Sequence, residues 1–94
     1  MAVTKRSVYI KLKQLLSSLT GIIWQDIRAD NSLSDLGFND DGKRALAAEI
    51  NKVFNDVEVH LTPDDTASAG SVRALVNKIW EQIPDHYKKQ EEEE

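Results

Sequence analysis

Asp35-Leu36-Gly37-Phe38-Asn39-Asp40-Asp41-Gly42 is the stretch on which the reading of this chain turns. Leu36 and Phe38 are apolar, and the polar run behind them offers Asn39 or Asp40 as a helix cap, a side-chain oxygen that accepts orphan backbone N–H groups. From Asp40 to about Phe54 a helix is indicated by Leu46, Ile50, Val53 and Phe54, with Ala45, Ala47 and Ala48 adding strong propensity. The stretch therefore joins a loop to a helix start.

Upstream, Val8, Leu12, Leu15, Leu16 and Leu19 recur at helical spacing between about Thr4 and Leu19, with Lys5, Arg6, Lys11, Lys13 and Gln14 mostly on the other face. Gly21 supplies the stop, because glycine accepts the left-handed conformation that ends many helices. The connection from Ile22 to about Asn39 is longer than most helix-to-helix loops. Ile22, Ile23, Trp24, Ile27, Leu33, Leu36 and Phe38 are too many apolar groups for a solvated linker, so the loop is expected to be ordered and pinned onto the helices.

Downstream, Val57, Val59 and Leu61 alternate with Glu58 and His60. A lone strand would lack a pairing partner, so an extended segment that drops three side chains into the core is expected instead. Thr62-Pro63-Asp64-Asp65 reads as cap, proline and two acids opening one short helix up to about Ala69. Ser71 caps a last helix carrying Val72, Leu75, Val76, Ile79 and Trp80, with Pro84 as terminator. Beyond it, Pro84-Asp85-His86-Tyr87-Lys88-Lys89-Gln90 has no apolar period, and residues 85–94 are expected to form a frayed tail after a single domain over 1–84.

The order of these pieces resembles the acyl and peptidyl carrier protein family. Ile27-Arg28-Ala29-Asp30-Asn31-Ser32-Leu33-Ser34-Asp35-Leu36-Gly37 is similar to the family's approach to its attachment site, with Leu33 in the Phe/Leu anchor position. Leu46, Ile50 and Phe54 match the buried face of its second helix, Val57 and Val59 the extended segment, and Ser71-Val72 the Thr-Val opening of its last helix. The resemblance covers roughly residues 4–83. It implies an all-α, acyl-carrier-protein-like four-helix bundle with three longer helices, a short third one and a long ordered loop after the first.

In that family an Asp-Ser-Leu triplet opens the second helix, and its serine carries 4'-phosphopantetheine through a phosphodiester. Here the triplet reads Asn39-Asp40-Asp41, so Asp40 stands at the attachment position. A carboxylate taking the group would form an acyl phosphate anhydride, which water cleaves, so no durable tether and no cofactor are expected. Asp41 replaces a leucine that the family uses for partner contact, Gly42 is expected to loosen the first turn, and Lys43 and Arg44 put positive charge where carriers are neutral or acidic. The expected role is a non-enzymatic protein-interaction module. It would use Phe38, Asp40, Asp41, Lys43 and Arg44 to contact a protein partner, such as an enzyme of acyl, lipid or natural-product metabolism. The alternatives are a genuine phosphopantetheine-bearing acyl or aminoacyl carrier using another serine, with Ser32 and Ser34 as candidates, or an unrelated small helical adaptor.

Asp40 has two further readings, as a fixed charge that imitates the carrier's phosphate and as a plain helix N-cap. The acids around it lack the alternating spacing of a calcium loop, since position 37 is glycine, so no metal site is expected. Trp24 and Trp80 read as partner anchors or as core, with packing favoured for Trp80. His60 and His86 have no nucleophile or glycine-rich loop beside them, which leaves no catalytic centre.

The net charge of −4 is segregated: residues 1–28 carry five basic side chains against Asp26 alone, and residues 29–65 carry nine acids against Lys43, Arg44 and Lys52. The acidic middle suits a basic protein surface rather than nucleic acid. Lys5, Arg6, Lys11, Lys13 and Arg28 lack the aromatic interleaving of a nucleic-acid site and read as a solvated helix face. With no cysteine and no apolar run long enough for a signal peptide or membrane span, the expectation is a cytoplasmic monomer.

Overall fold

Thr4 starts the first helix, α1 (Lys5–Thr20), by accepting the Ser7 N–H on its hydroxyl while the Ser7 hydroxyl takes up the Thr4 N–H, a reciprocal cap. The chain is described by a computed structural model over residues 3–88. α1 ends at Gly21, whose φ of 80° lets its N–H reach back to Ser17 O. Three further α-helices follow: α2 (Asp40–Val53), α3 (Pro63–Ala67) and α4 (Val72–Gln82). Single 3-10 turns at Trp24–Asp26, Asn55–Val57 and Asp85–Tyr87 complete the order, and there is no strand among the described residues. The fold is all-α, with a short helix in third place and the long connection after α1.

One continuous core joins these elements. Val8, Leu12 and Leu16 of α1 meet Leu46, Ala47 and Ile50 of α2 and Val72, Leu75, Val76 and Ile79 of α4. Full burial of each large apolar side chain is worth about 1.5–3 kcal/mol, so these three stripes dominate the stability. Leu19 lies on the same face of α1 as Leu12 but is 44% exposed, because the last turn of α1 runs past the end of the core.

The long connection is ordered by its own anchors. Ile27 and Leu33 are fully buried, with Leu36 and Phe38 packed part-way against the core. Its backbone is tied to the start of α4: Leu33 N–H donates to Gly70 O, Val72 N–H to Asn31 O and Arg73 N–H to Ala29 O. Leu33 O in turn receives the N–H groups of Leu36 and Phe38, a tight turn that Gly37 permits with φ at 100°.

Val57, Val59 and Leu61 are all buried without any sheet, as expected, but the segment is not extended from its start: Val57 closes a 3-10 turn and Glu58 is left-handed at φ 63°. What holds this segment is Asn51 of α2, whose Nδ2 donates to Leu61 O at 2.9 Å while its Oδ1 receives the Leu61 N–H at 2.7 Å. The short α3 is closed by a second reciprocal cap between Thr62 and Asp65. The expectation of fraying from Asp85 meets a different arrangement over 85–88. Val3 N–H donates to Tyr87 O at 2.7 Å, Tyr87 Oη donates to Glu58 at 2.9 Å and Lys88 Nζ sits 4.8 Å from the Trp80 ring centre. Tyrosine, lysine and the N-terminal strandlike residue thus supply anchors that apolar periodicity does not register. The rest of the expected tail, residues 89–94, lies outside the described residues.

Candidate functional site

The start of α2 is built by the pinned loop and by one cap. Asn39 is extended, with φ −85° and ψ −174°, and its Oδ1 receives the Gly42 N–H at 2.8 Å. Asp40, weighed as a cap from the sequence, is instead the first residue of the helix, with Asp41 next. Both are exposed, and both sit where the helix dipole favours negative charge. The cap and the two acids have separate tasks: Asn39 satisfies the backbone, and the carboxylates face solvent.

Phe38 is half-buried and packs against the core, so only its edge belongs to the surface. Gly42 makes room for that ring: a Cβ there would lie 3.3 Å from Phe38 Cδ1 and 3.3 Å from Asn39 Oδ1. Instead of loosening the turn, Gly42 lets Phe38 and Asn39 close over it. Arg44 is exposed, but its Nη1 pairs with Asp64 Oδ1 of α3 at 2.9 Å, which offsets its charge at the surface. With both groups well solvated, this ion pair contributes about 0–1 kcal/mol. Lys43 is half-buried beside it. The structure therefore brings Phe38, Asp40, Asp41, Lys43 and Arg44 to one helix start, with Arg44 joined to α3.

No residue in the first turn of α2 carries a hydroxyl. Ser32 spends its Oγ on the Asp35 N–H at 2.9 Å inside the loop, and Ser34 is exposed in the same loop turn, upstream of the helix. The residues present do not fit phosphopantetheine attachment at the helix start. Among the described residues there is also no group of three or more His, Asp or Glu side chains that could hold a metal ion.

The other residues of interest are dispersed. Trp24 is 42% exposed next to Ile23 at 62%, and Lys13 Nζ lies 5.1 Å from the Trp24 ring centre and 4.9 Å from that of Tyr9. Trp80 is half-buried against the core, as its place on the last stripe suggested. His60 and His86 are both exposed, and His86 stacks at a tilt on Tyr87. Lys11 lies over the Phe54 ring, so the basic residues of α1 do not form one continuous face.

Two titrations are displaced. Asp65 is held below its ordinary 3.8, chiefly by the Thr62 N–H it accepts and then by the Thr62 hydroxyl. Tyr87 is pushed above its ordinary 10.0, first by its hydrogen bond to Glu58. Both belong to structural contacts. The Asn51 latch was missed by sequence reasoning, although an Asn in mid-helix, a poor helix former, was a signal that its amide had other work. No family model matches the chain, and neither a curated protein nor a solved structure matches it. No helix among the described residues is long and apolar enough to cross a membrane.

Proposed function

We propose that the chain is a carrier-protein-like helical domain that has given up phosphopantetheine and acts as a non-enzymatic protein-interaction module. The observation that carries this reading is the start of α2. A loop pinned through Ile27 and Leu33 delivers an Asn39-capped helix whose first turn presents two exposed carboxylates and no hydroxyl. A carrier needs a nucleophilic oxygen at that position, and a carboxylate gives a labile anhydride. A docking module needs only a rigid, charged helix end, and rigidity is what the loop supplies.

Element order supports the carrier-like part: three longer helices, a short third one and the anchored loop. The buried Val57, Val59 and Leu61 add to it. Asp40, Asp41, Lys43 and Arg44 with the exposed edge of Phe38 form the contact surface, and the Arg44–Asp64 pair extends it onto α3. Two acids at the tip suit a partner with a basic patch, such as an enzyme of acyl or natural-product metabolism, whose approach would be faster at low salt. The test is intact-mass measurement after incubation with coenzyme A and a broad-specificity phosphopantetheinyl transferase. The unmodified mass is expected; a phosphopantetheine increment on the wild-type chain overturns the proposal in favour of a carrier using another serine.

A further inference from the structure

Four large apolar side chains are exposed among the described residues, and three of them, Leu19, Ile23 and Trp24, fall within residues 19–24. Exposed apolar groups scattered singly are ordinary, but a cluster at one end of a helical domain marks a contact surface. The chain turns there at Gly21 and the end of α1 runs past the core, so these side chains cap a projecting corner rather than line a groove. The fourth, Ile10, stands one turn before Lys13 on α1.

The charge around this corner is positive and unanswered. Lys13 is half-buried, with its Nζ 5.1 Å from the Trp24 ring centre and 4.9 Å from that of Tyr9. The rings steady the cation without neutralising it. Arg28 is exposed just past the 3-10 turn Trp24–Asp26. Neither Lys13 nor Arg28 forms a salt bridge among the described residues, whereas Arg44 and Lys88 each meet a carboxylate. Asp26 is the one acid in residues 1–28, against five basic side chains. The Trp24 indole N–H likewise donates to no acceptor among the described residues.

Charge and shape together select the occupant. A surface that covers this corner must be anionic, take in projecting apolar side chains and offer an acceptor to an indole N–H. A bilayer containing anionic lipid does all three. Apolar groups enter the acyl boundary, tryptophan settles at the level of the headgroups, and lysine and arginine meet the phosphates. We propose that the end of α1 and the 3-10 turn after it dock reversibly on an anionic lipid surface. Ile23 and Trp24 enter it, Leu19 lies at the edge of the contact, and Lys13 and Arg28 hold the headgroups. So small an apolar cluster is no lasting anchor, which makes attachment depend on the anionic lipid. No residue of the α2 contact surface belongs to this corner, so this inference and the proposed function fail separately.

The test mixes the full chain with vesicles of phosphatidylcholine alone, or of equal parts phosphatidylcholine and phosphatidylserine, and reads the bound fraction by co-sedimentation. Binding is expected to the mixed vesicles only, and it should weaken as salt is added. Brominated acyl chains should quench wild-type fluorescence but not that of Trp24→Phe, whose remaining Trp80 packs against the core. Ile23→Ser should weaken binding by about tenfold or more, and Lys13→Gln by about fivefold. Lys52→Gln should bind like wild type, because the last turn of α2 leads to Glu58, which meets Tyr87 beside Val3 at the opposite end of α1. Ile23 is exposed, so its variant keeps the core, as a thermal melt verifies, and the comparison of the two vesicles needs no variant. The proposal is overturned if both vesicles bind the chain equally or neither does, or if Ile23→Ser and Lys13→Gln bind like wild type. Quenching of Trp24→Phe as strong as that of wild type overturns it too. So does a dimer in sedimentation velocity that Ile23→Ser dissolves, which would make a second copy the occupant.

Discussion

At the start of α2, Asn39 caps the helix and Asp40 and Asp41 fill the first turn; at the start of α4, Ser71 caps the helix and Arg73 stands in the same place. The caps are equivalent: Asn39 Oδ1 receives its N–H at 2.8 Å and Ser71 Oγ receives that of Ala74 at 3.1 Å. The charges are opposite. Acids at a helix start are stabilised by about 0.3–1 kcal/mol each, so those of α2 are consistent with folding alone and their functional reading rests on exposure and on the missing hydroxyl. A base at that position is disfavoured by a similar amount, so Arg73 asks for an explanation outside the helix. The same feature, a charge in a first turn, thus carries different weight according to its sign.

The two starts are coupled through Leu33, which bonds Gly70 ahead of α4 and receives Phe38 ahead of α2. Both bonds use the Leu33 backbone and remain available to an alanine, so Leu33→Ala removes only the buried anchor that holds them in place, and it should cost about 2–5 kcal/mol, the range for truncating a fully buried leucine. Urea unfolding measures it, and a loss under 1 kcal/mol, well short of that range, would mean that the loop is not held by its anchor. Next in size, Asn51→Ala should cost about 1–3 kcal/mol, because it leaves the N–H and C=O of Leu61 without partners. Hydrogen exchange at Leu61 should accelerate by the same free energy. The caps follow: Asn39→Ala and Ser71→Ala should each lose about 0.5–2 kcal/mol, and equal losses would confirm that the starts differ in charge only.

Smallest, and most specific to the contrast, are the charge changes. Asp41→Asn should destabilise by about 0.3–1 kcal/mol, whereas Arg73→Gln should leave stability unchanged or raise it by a comparable amount. Losses of the same sign would erase the comparison. Acid adds a further check on α3. Asp65 titrates below its ordinary value, so its contribution is complete above that value and disappears as pH falls through the depressed one. Between about pH 5 and 2 the thermal midpoint should fall less in Asp65→Asn than in wild type.

Much of the helical frame was legible because it depends on local signals. The stripes on Leu12, Leu46 and Leu75, the stop at Gly21, and the caps at Thr62 and Ser71 were each written in a few neighbouring residues. Even the sheetless burial of Val57, Val59 and Leu61 followed from the lack of a strand partner. Contacts between residues far apart in the chain were not legible. The Arg44–Asp64 pair, the Asn51 latch and the Val3–Tyr87–Glu58 contacts join positions whose proximity only the packed helices create. The site divides the same way. Placing Asp40 and Asp41 at a helix start needed eight consecutive residues, whereas joining Arg44 to Asp64 needed α2 and α3 side by side.

The central claim is that a carrier-like loop presents the wrong chemistry at the right place, and the double variant Asp40→Ser, Asp41→Leu tests it most directly. Incubated with coenzyme A and several phosphopantetheinyl transferases, it should gain the phosphopantetheine mass increment, at least weakly, while the wild-type chain under the same conditions does not. Refusal by every transferase, with the variant folded as judged by its circular dichroism, would contradict the claim that this loop and helix start have carrier geometry.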